Sequence, residues 1–287
     1  MNLKNKPQEP VDMGRRKALF ALGGFGAAVI VACTTDQGVG SPSSSSSGGT
    51  SSGGSSGTAA GGSSSSSTSG AGTATEWATG GTASMSGEYT DPFPLATACV
   101  VLTRVTEGPC TEEAHQDRKD ISEGMGGLPM RLALRFVDAD CNALSGAKVK
   151  IWHTQRTGSY SGDTPNPGMC LSSSAEAQKH YFRGVQTTDA NGRVDFDSCF
   201  PGWYRGRAVH IHFAVTTADG DELVSQLGFD PSLIQELFES HPDYAEFGQP
   251  DTPNSTDNIL HGEAEYNLTT SRLNDGALLA AKEIRVG

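Results

Sequence analysis

The sequence predicts an all-β domain, an antiparallel β-sandwich with one short helix and long loops, between about Asp91 and Gly287. Two observations carry this prediction. Apolar and polar residues alternate in many short segments, which is the pattern of strands with one buried face. Turn-forming residues separate those segments, as in Asp189-Ala-Asn-Gly192. Many short strands joined by polar turns are typical of a sandwich.

Each strand candidate has this alternation, as where Leu132, Leu134 and Phe136 share one face of the segment 131–137. One helix is predicted from Asp230, which suits an N-cap, and from apolar residues at helical spacing after Pro231. The strand candidates in chain order are 131–137, 147–153, 181–188, 192–197, 208–217, 222–229 and 264–270.

The N-terminal region predicts export. Residues 1–33 combine Arg15-Arg16-Lys17 with an apolar run over 18–32, shorter than the roughly 20 residues that span a bilayer, which is typical of a secretory signal. The paired arginines suggest the twin-arginine route, and Val-Ala-Cys33 resembles a bacterial lipobox. We therefore expect a membrane-anchored lipoprotein, lipidated at Cys33 and facing the periplasm or the cell exterior. A plain signal peptide cut near Ala32 and an uncleaved anchor are the alternatives.

Composition divides the rest of the chain. Residues 34–90 form the predicted tether: 34–75 are rich in Ser, Gly and Thr, and 76–90 are transitional. Residues 91–287 form the predicted catalytic domain. The net charge of -12 argues against nucleic-acid binding, which needs a basic surface. Of six cysteines, five remain if Cys33 carries lipid, and the absence of Cys-x-x-Cys argues against a structural zinc site.

The candidate site starts from His210 and His212. On a strand over 208–215 both imidazoles lie on one face, opposite an apolar face, and form half of a metal site. Tyr160 and Tyr204 are the best-placed partners, because nearby carboxylates lie in turns or strand ends. Phenols have a pKa near 10, so a strongly Lewis-acidic ion is needed to hold them ionised, and Fe(III) is the usual choice.

Five segments in order carry a resemblance to the intradiol ring-cleavage dioxygenases, the catechol and protocatechuate 3,4-dioxygenase family, and above all to their exported subgroup. The segments are Cys99-Val-Val-Leu-Thr with Glu107-Gly-Pro109, Val149 to Gly162, Phe182 to Gly192, Pro201 to Phe213, and Ser225-Gln-Leu-Gly-Phe229. The resemblance implies the sandwich of that family and an oxidoreductase that incorporates both atoms of O2 into a catechol-type substrate, with a muconate-type product. Such an enzyme serves the catabolism of aromatic compounds.

The resemblance also implies roles. Tyr160, Tyr204, His210 and His212 would bind Fe(III), and Tyr204 would leave the metal and take a substrate proton. Arg207 would stabilise negative charge on the bound ring, and Gln226 would line the same pocket. Cysteines near two matching positions favour a Cys99–Cys141 disulfide, with Cys110–Cys170 as a second hypothesis.

Some features depart from the family pattern or stay open. Cys110-Thr-Glu-Glu113 replaces aromatic residues that often follow Glu-Gly-Pro, so the substrate is not identified, and 163–180 reads as an inserted loop. Glu112 and Glu113 read as a solvated turn and His153 as a structural histidine. Four cations could meet a substrate carboxylate: Arg156, Lys179, Arg183 and Arg205. A binding module without turnover, a zinc or copper enzyme, and a homo-oligomer remain alternatives.

Overall fold

The computed structural model describes residues 76–87, 89–93, 99–113 and 116–287. The predicted signal segment, the lipid-bearing Cys33 and the first part of the tether lie outside the described residues. Eight strands and two α-helices make up the described part of the chain. They are β1 Pro129–Val137, β2 Lys148–Trp152, α1 Pro167–Cys170, β3 Arg183–Thr187, β4 Arg193–Cys199, β5 His210–Thr216, β6 Glu222–Gly228, α2 Pro231–Ser240, β7 Thr269–Arg272 and β8 Leu278–Arg285. Five 3-10 turns accompany them, at Thr82–Ser84, Ser174–Gln178, Ala245–Phe247, Asn254–Thr256 and Ala264–Tyr266.

The strands form two four-stranded sheets, one ordered β4-β1-β8-β7 and the other β3-β2-β5-β6. The predicted all-β sandwich is confirmed, with two departures. β1 and β8 pair in parallel, while every other named pair is antiparallel. A second short helix, α1, accompanies the predicted helix α2 and lies in the segment read as an inserted loop. The apolar faces meet between the sheets, where Phe136 of β1 packs 5.9 Å from Phe213 of β5, measured between ring centroids. Burial of these faces is the main force that joins the sheets.

The sequence missed β8 and misplaced β7. The segment 264–270 was expected to be one strand, but a 3-10 turn occupies Ala264–Tyr266 and β7 covers Thr269–Arg272. β8 is central in its sheet and mostly buried, so its sequence Leu278-Leu-Ala-Ala-Lys-Glu-Ile-Arg does not alternate. Strands buried on both faces cannot be told from helical segments by periodicity alone.

Residues 76–87 contact the folded domain although they fall inside the segment predicted as tether. The indole Nε1 of Trp77 donates to Glu236 at 2.7 Å, and the guanidinium of Arg272 lies 3.9 Å above the same ring. The backbone N–H of Ala78 donates to Gly276. The domain boundaries read from the sequence stay predictions.

Among the described residues, no helix is long and apolar enough to cross a membrane.

Both disulfides proposed from the sequence are present. Cys99 is bonded to Cys141, which ties the segment before β1 to the turn after it. Cys110 is bonded to Cys170, which ties the segment after Glu107-Gly-Pro109 to α1. Cys199 is a free, buried thiol.

Candidate active site

The site lies on the outer face of the second sheet, opposite its apolar core. Ile211 and Phe213 of β5 point into the core, so His210 and His212, which alternate with them, point the other way. His212 pairs with Trp152 on β2 and with Gln226 on β6, and Trp152 in turn pairs with Arg183 on β3. The cross-strand register therefore places one residue from each of four strands in a single row. That row forms the floor of the candidate site.

Four potential metal-binding atoms converge above this floor. The Nε2 atoms of His210 and His212 are 3.1 Å apart. The phenol oxygen of Tyr160 lies 3.1 Å from Nε2 of His212 and 3.4 Å from Nε2 of His210. The phenol oxygen of Tyr204 lies 3.3 Å from Nε2 of His210. The two histidines come from one strand and each tyrosine from a separate loop, so the fold brings together residues that are 52 positions apart.

The loop after β2 delivers Tyr160, and Gly158 allows it to do so. Gly158 has φ +82°, and a Cβ there would lie 2.1 Å from the carbonyl oxygen of Trp203. This close approach places the turn that carries Tyr160 against the segment that carries Tyr204. The backbone N–H of Tyr160 donates to the carbonyl of Cys170 at 2.9 Å. The loop that carries Tyr160 is thus packed against Trp203 at Gly158 and hydrogen-bonded to Cys170 at Tyr160.

Burial keeps both imidazoles neutral. It lowers the pKa of His210 to about 3, with Arg207 as a further cause, and it lowers the pKa of His212 well below the usual range. Nδ1 of His210 is 2.6 Å from the carbonyl oxygen of Ala208. Since a carbonyl can only accept, that nitrogen carries the proton and Nε2 has a free lone pair.

Burial raises the pKa of both phenols. For Tyr160 the rise is large, and the nearby Tyr204 adds to it. For Tyr204, burial raises the pKa and Arg207 opposes the rise. Without an ion, both side chains therefore stay protonated at neutral pH. Only a strongly charged ion at the same position would convert them to phenolates.

These donors fit a single bound ion. Ligand atoms about 2.0–2.1 Å from one metal lie roughly 3 Å from each other, which is close to the 3.1–3.4 Å that separates Nε2 of His210 from the other three atoms. Nδ1 of His212 is buried and has no hydrogen-bond partner among the described residues. Across the same residues, no group of three or more His, Cys, Asp or Glu side chains could hold a metal. The two phenols are therefore essential to this donor set, and two phenolates would neutralise much of the charge of a trivalent ion.

Arg207 lies beside the four donors and is held by several groups. Its Nη1 donates to the phenol oxygen of Tyr204 at 3.4 Å, and its Nη2 donates to Oε1 of Gln226 at 2.5 Å. Its Nε donates to the buried carboxylate of Asp257 at 2.9 Å. Sequence reasoning missed Asp257, because no local motif links it to a strand that begins 47 residues earlier.

The segment at Glu107-Gly-Pro109 forms another wall. A Cβ at Gly108 would lie 3.6 Å from Cε1 of His212, so this backbone lies in van der Waals range of that imidazole. Lys150 on β2 donates to Glu107 at 2.9 Å and lies 4.9 Å from the Trp152 ring. At this part of the rim, the charges of Lys150 and Glu107 are therefore paired with each other.

Two expectations about nearby charged residues were wrong. Glu112 was expected in a solvated turn, but it is buried and pairs with His180 at 3.0 Å. Arg183 was considered for a substrate carboxylate, but it is 1% exposed and donates to the carbonyls of Cys110 and Ser161. Its guanidinium centre lies 5.9 Å from the Tyr160 ring. It supports the loop of Tyr160 from beneath.

The structure brings together all six residues predicted for the site: Tyr160, Tyr204, Arg207, His210, His212 and Gln226. His153 lies apart from them, with its ring nitrogens 2.8 Å from the Thr154 carbonyl and from Ser198 Oγ. Burial lowers its pKa to about 4, which suits a neutral structural histidine.

Comparison with known proteins indicates the kind of domain that carries this arrangement. Residues 106–243 match a family model described as Dioxygenase (Dioxygenase_C). The structure is similar to an intradiol ring-cleavage dioxygenase from Tetranychus urticae, with a TM-score of 0.58 and 28% identity, over 66% of this chain and 95% of that one. The chain has the intradiol dioxygenase fold. The expected sandwich of that type is thus confirmed, and the matched segment contains all six site residues.

Two other solved structures that the chain matches are less similar to it. The dioxygenase domain of a dioxygenase carbohydrate-binding fusion from Streptomyces sp. SirexAA-E is 19% identical, with a TM-score of 0.49, over 65% of this chain and 98% of that one. A 3-chlorocatechol 1,2-dioxygenase from Rhodococcus opacus 1CP is 18% identical, with a TM-score of 0.46, over 65% of this chain and 72% of that one. Comparison with curated proteins finds no match.

Proposed function

We propose that the chain is a non-haem Fe(III) intradiol dioxygenase that cleaves a catechol-type ring between its two hydroxyl-bearing carbons. The observation that carries this proposal is the convergence of two phenols and two neutral imidazoles beside a fixed arginine. Each phenol oxygen lies within 3.4 Å of an imidazole Nε2 atom, and the two Nε2 atoms are 3.1 Å apart. The dioxygenase family match and the intradiol fold support it. The reaction consumes one O2 per substrate and places both oxygen atoms in a muconate-type product.

Tyr160, Tyr204, His210 and His212 would hold ferric iron, which would supply a Lewis acid that favours the deprotonated, electron-rich form of the catechol. The residues of the chain supply the rest. His210 and His212 present unprotonated Nε2 atoms, because their environment keeps them neutral. Tyr160 is almost fully buried and serves as a permanent anionic ligand.

Tyr204 is the proton acceptor in this proposal. It is more exposed than Tyr160, and its pKa without metal is raised, so its phenolate oxygen readily takes a proton from the substrate hydroxyl. Arg207 lies 3.4 Å from that oxygen and stabilises negative charge that develops on the substrate. Gln226 accepts from Arg207 and holds it over the floor of the site.

Iron analysis and oxygen uptake test the proposal. Purified protein loaded with iron should be burgundy, because phenolate-to-Fe(III) charge transfer absorbs visible light. It should consume O2 with at least one of catechol, protocatechuate or hydroxyquinol, and product ultraviolet spectra should show ring cleavage. A protein that stays colourless and inactive after iron loading contradicts the proposal. Full activity with zinc alone, or in a Tyr204→Phe variant, contradicts it as well.

We also propose that the domain is exported and anchored by lipid at Cys33, within the exported lipoprotein subgroup of the family. The support is the twin-arginine and lipobox pattern of the first 33 residues. Mass spectrometry of the mature N-terminus should find lipid on Cys33 in membrane fractions. A Cys33→Ser variant should lose the lipid and leave the membrane fraction, and an unchanged distribution contradicts the anchor.

A further inference from the structure

Asp257 is a buried carboxylate that joins the arginine of the site to the start of β5. Its side chain is fully buried, directly after the 3-10 turn Asn254–Thr256. Oδ2 accepts from Nε of Arg207 and from the backbone N–H of Ala208, both at 2.9 Å. Oδ1 accepts from the backbone N–H groups of Ile259 and Leu260, both at 2.9 Å, and from Nη2 of Arg207 at 3.4 Å.

This carboxylate is ionised at neutral pH in spite of its burial. Burial raises its pKa, but the hydrogen bonds from Arg207 and from three backbone N–H groups outweigh that effect and lower the pKa to about 2. A buried charge is tolerated only when it is paired and hydrogen-bonded, and here both conditions are met. The pair is therefore a fixed part of the fold rather than a mobile surface contact.

The geometry fixes the guanidinium from three directions. Asp257 takes the Nε edge, which leaves Nη1 for Tyr204 and Nη2 for Gln226. A free arginine side chain has many rotamers. Because Asp257 binds the Nε edge of the guanidinium, Arg207 loses most of its rotamers before substrate binds. The bond to Ala208 also fixes the backbone two residues before His210. One carboxylate thus orients both the cation and the strand end that carries the first histidine.

We propose that Asp257 is the positioning residue that holds Arg207 in its catalytic orientation over the substrate. The inference rests on the proposed function, since Arg207 has its role only if a catechol binds there. Asp257 itself touches no substrate, because Arg207 and Ala208 separate it from the site. The competing reading is that Asp257 only closes the turn at Ile259 and Leu260 and contributes stability alone.

A double-mutant cycle separates the two readings, with Asp257→Asn, Arg207→Gln and the double variant assayed for kcat and KM as iron-loaded protein. Asparagine keeps one oxygen for the turn but presents an amide N–H2 to Arg207. Misplacement of a catalytic group by about 1 Å costs about 10²-fold in rate, so we expect Asp257→Asn to lower kcat by about that factor. The effect on KM should be several-fold smaller.

The decisive comparison is the same change in the Arg207→Gln background. If Asp257 acts through Arg207, the double variant has the kcat of Arg207→Gln alone, because interacting residues are not additive. Equal fold losses in both backgrounds overturn the inference. Asp275→Asn is the matched control, because Asp275 also accepts backbone N–H groups, from Ser86 and Ala277, away from the site. It should keep the wild-type kcat and KM.

Arg207→Lys tests the inference without altering the turn. It leaves the backbone bonds to Asp257 in place, so the variant is expected to fold, and lysine lacks the fork that meets Asp257 and Gln226 together. We expect it to lose nearly as much kcat as Arg207→Gln, and wild-type kcat overturns the inference.

Crystal structures give a readout that does not depend on turnover. In Asp257→Asn the contact between Nη2 of Arg207 and Gln226 should be lost, and its retention overturns the inference. If the iron-loaded wild type cleaves no catechol, the proposed function fails, and these structures alone decide whether Asp257 positions Arg207. If the wild type turns over and the cycle is additive, only the inference fails.

Discussion

Removal of the Cys110–Cys170 disulfide should damage both stability and the site. The bond closes a segment of 60 residues. The chain-entropy estimate for such a loop is about 4 kcal/mol of unfolding free energy. For a domain of 150–250 residues, that loss corresponds to a fall in Tm of about 8–16 °C. The Cys110→Ala/Cys170→Ala variant should show this fall in calorimetry under conditions that keep the other disulfide oxidised.

The functional effect follows from what the disulfide contacts. Cys110 and Cys170 pack in one cluster with Trp152 and Tyr160, and the Cys170 carbonyl accepts from the Tyr160 N–H. Loss of the bond frees the loop that delivers Tyr160, so the variant should bind less iron and show a weaker visible charge-transfer band. Its kcat for a catechol should fall with the iron content.

Removal of the Cys99–Cys141 disulfide provides the matched control. It closes a segment of 42 residues, so the same estimate again gives about 4 kcal/mol. Its surroundings are the turn after β1 and Glu283 on β8, to which Cys99 N–H donates at 3.0 Å. This variant should lose similar stability yet keep the wild-type iron content and colour at a temperature where it is folded. Equal loss of colour in both double variants would refute the reasoning.

Three further predictions concern single residues. Gly158→Ala should lower the unfolding free energy by at least about 1–2 kcal/mol, because alanine disfavours the left-handed backbone and its Cβ would meet the Trp203 carbonyl, and urea unfolding measures this. Asp257 has a folded pKa of about 2, below its unfolded value near 3.9, so ionised Asp257 stabilises the fold above pH 4 and this stabilisation is lost as pH falls toward 2. The stabilisation amounts to about 2 kcal/mol. In Asp257→Asn, the unfolding free energy measured against pH should no longer fall by this amount between pH 4 and pH 2. His153→Asn should lower Tm through its lost contact with Ser198 while the iron content stays unchanged, whereas loss of iron would show that His153 is part of the metal site.

The sequence identified the residues that cluster at the candidate site, but not the hydrogen-bond network around them. Alternation alone placed His210 and His212 on one strand face, because the side chains of a strand repeat with period two. The positions of Tyr160 and Tyr204 beside predicted strands made them the best-placed partners, the family resemblance gave the same residues, and the structure brings all four side chains together. Asp257 was not predicted, since its link to Arg207 is a tertiary contact without a local signal.

The fold errors have a similar physical origin. β8 was missed because it is mostly buried, so its residues do not alternate, and the Asn274-Asp275-Gly276 turn that joins it to β7 was not recognised as a hairpin signal. The burial of Glu112 and Arg183 was missed because charged residues read as solvated until their partners are known. The Cys99–Cys141 prediction rested on the resemblance and Cys110–Cys170 was only a second hypothesis, since cysteine counting alone allows several pairings.

The most direct test of the central claim is an isotope experiment with the iron-loaded protein and 18O2. The account predicts that the active catechol is converted to a ring-opened dicarboxylic acid with one O2 consumed per substrate, and that mass spectrometry finds label from both atoms of O2 in the product. A product in which only one atom of O2 appears, or cleavage outside the two hydroxyl-bearing carbons, would contradict it.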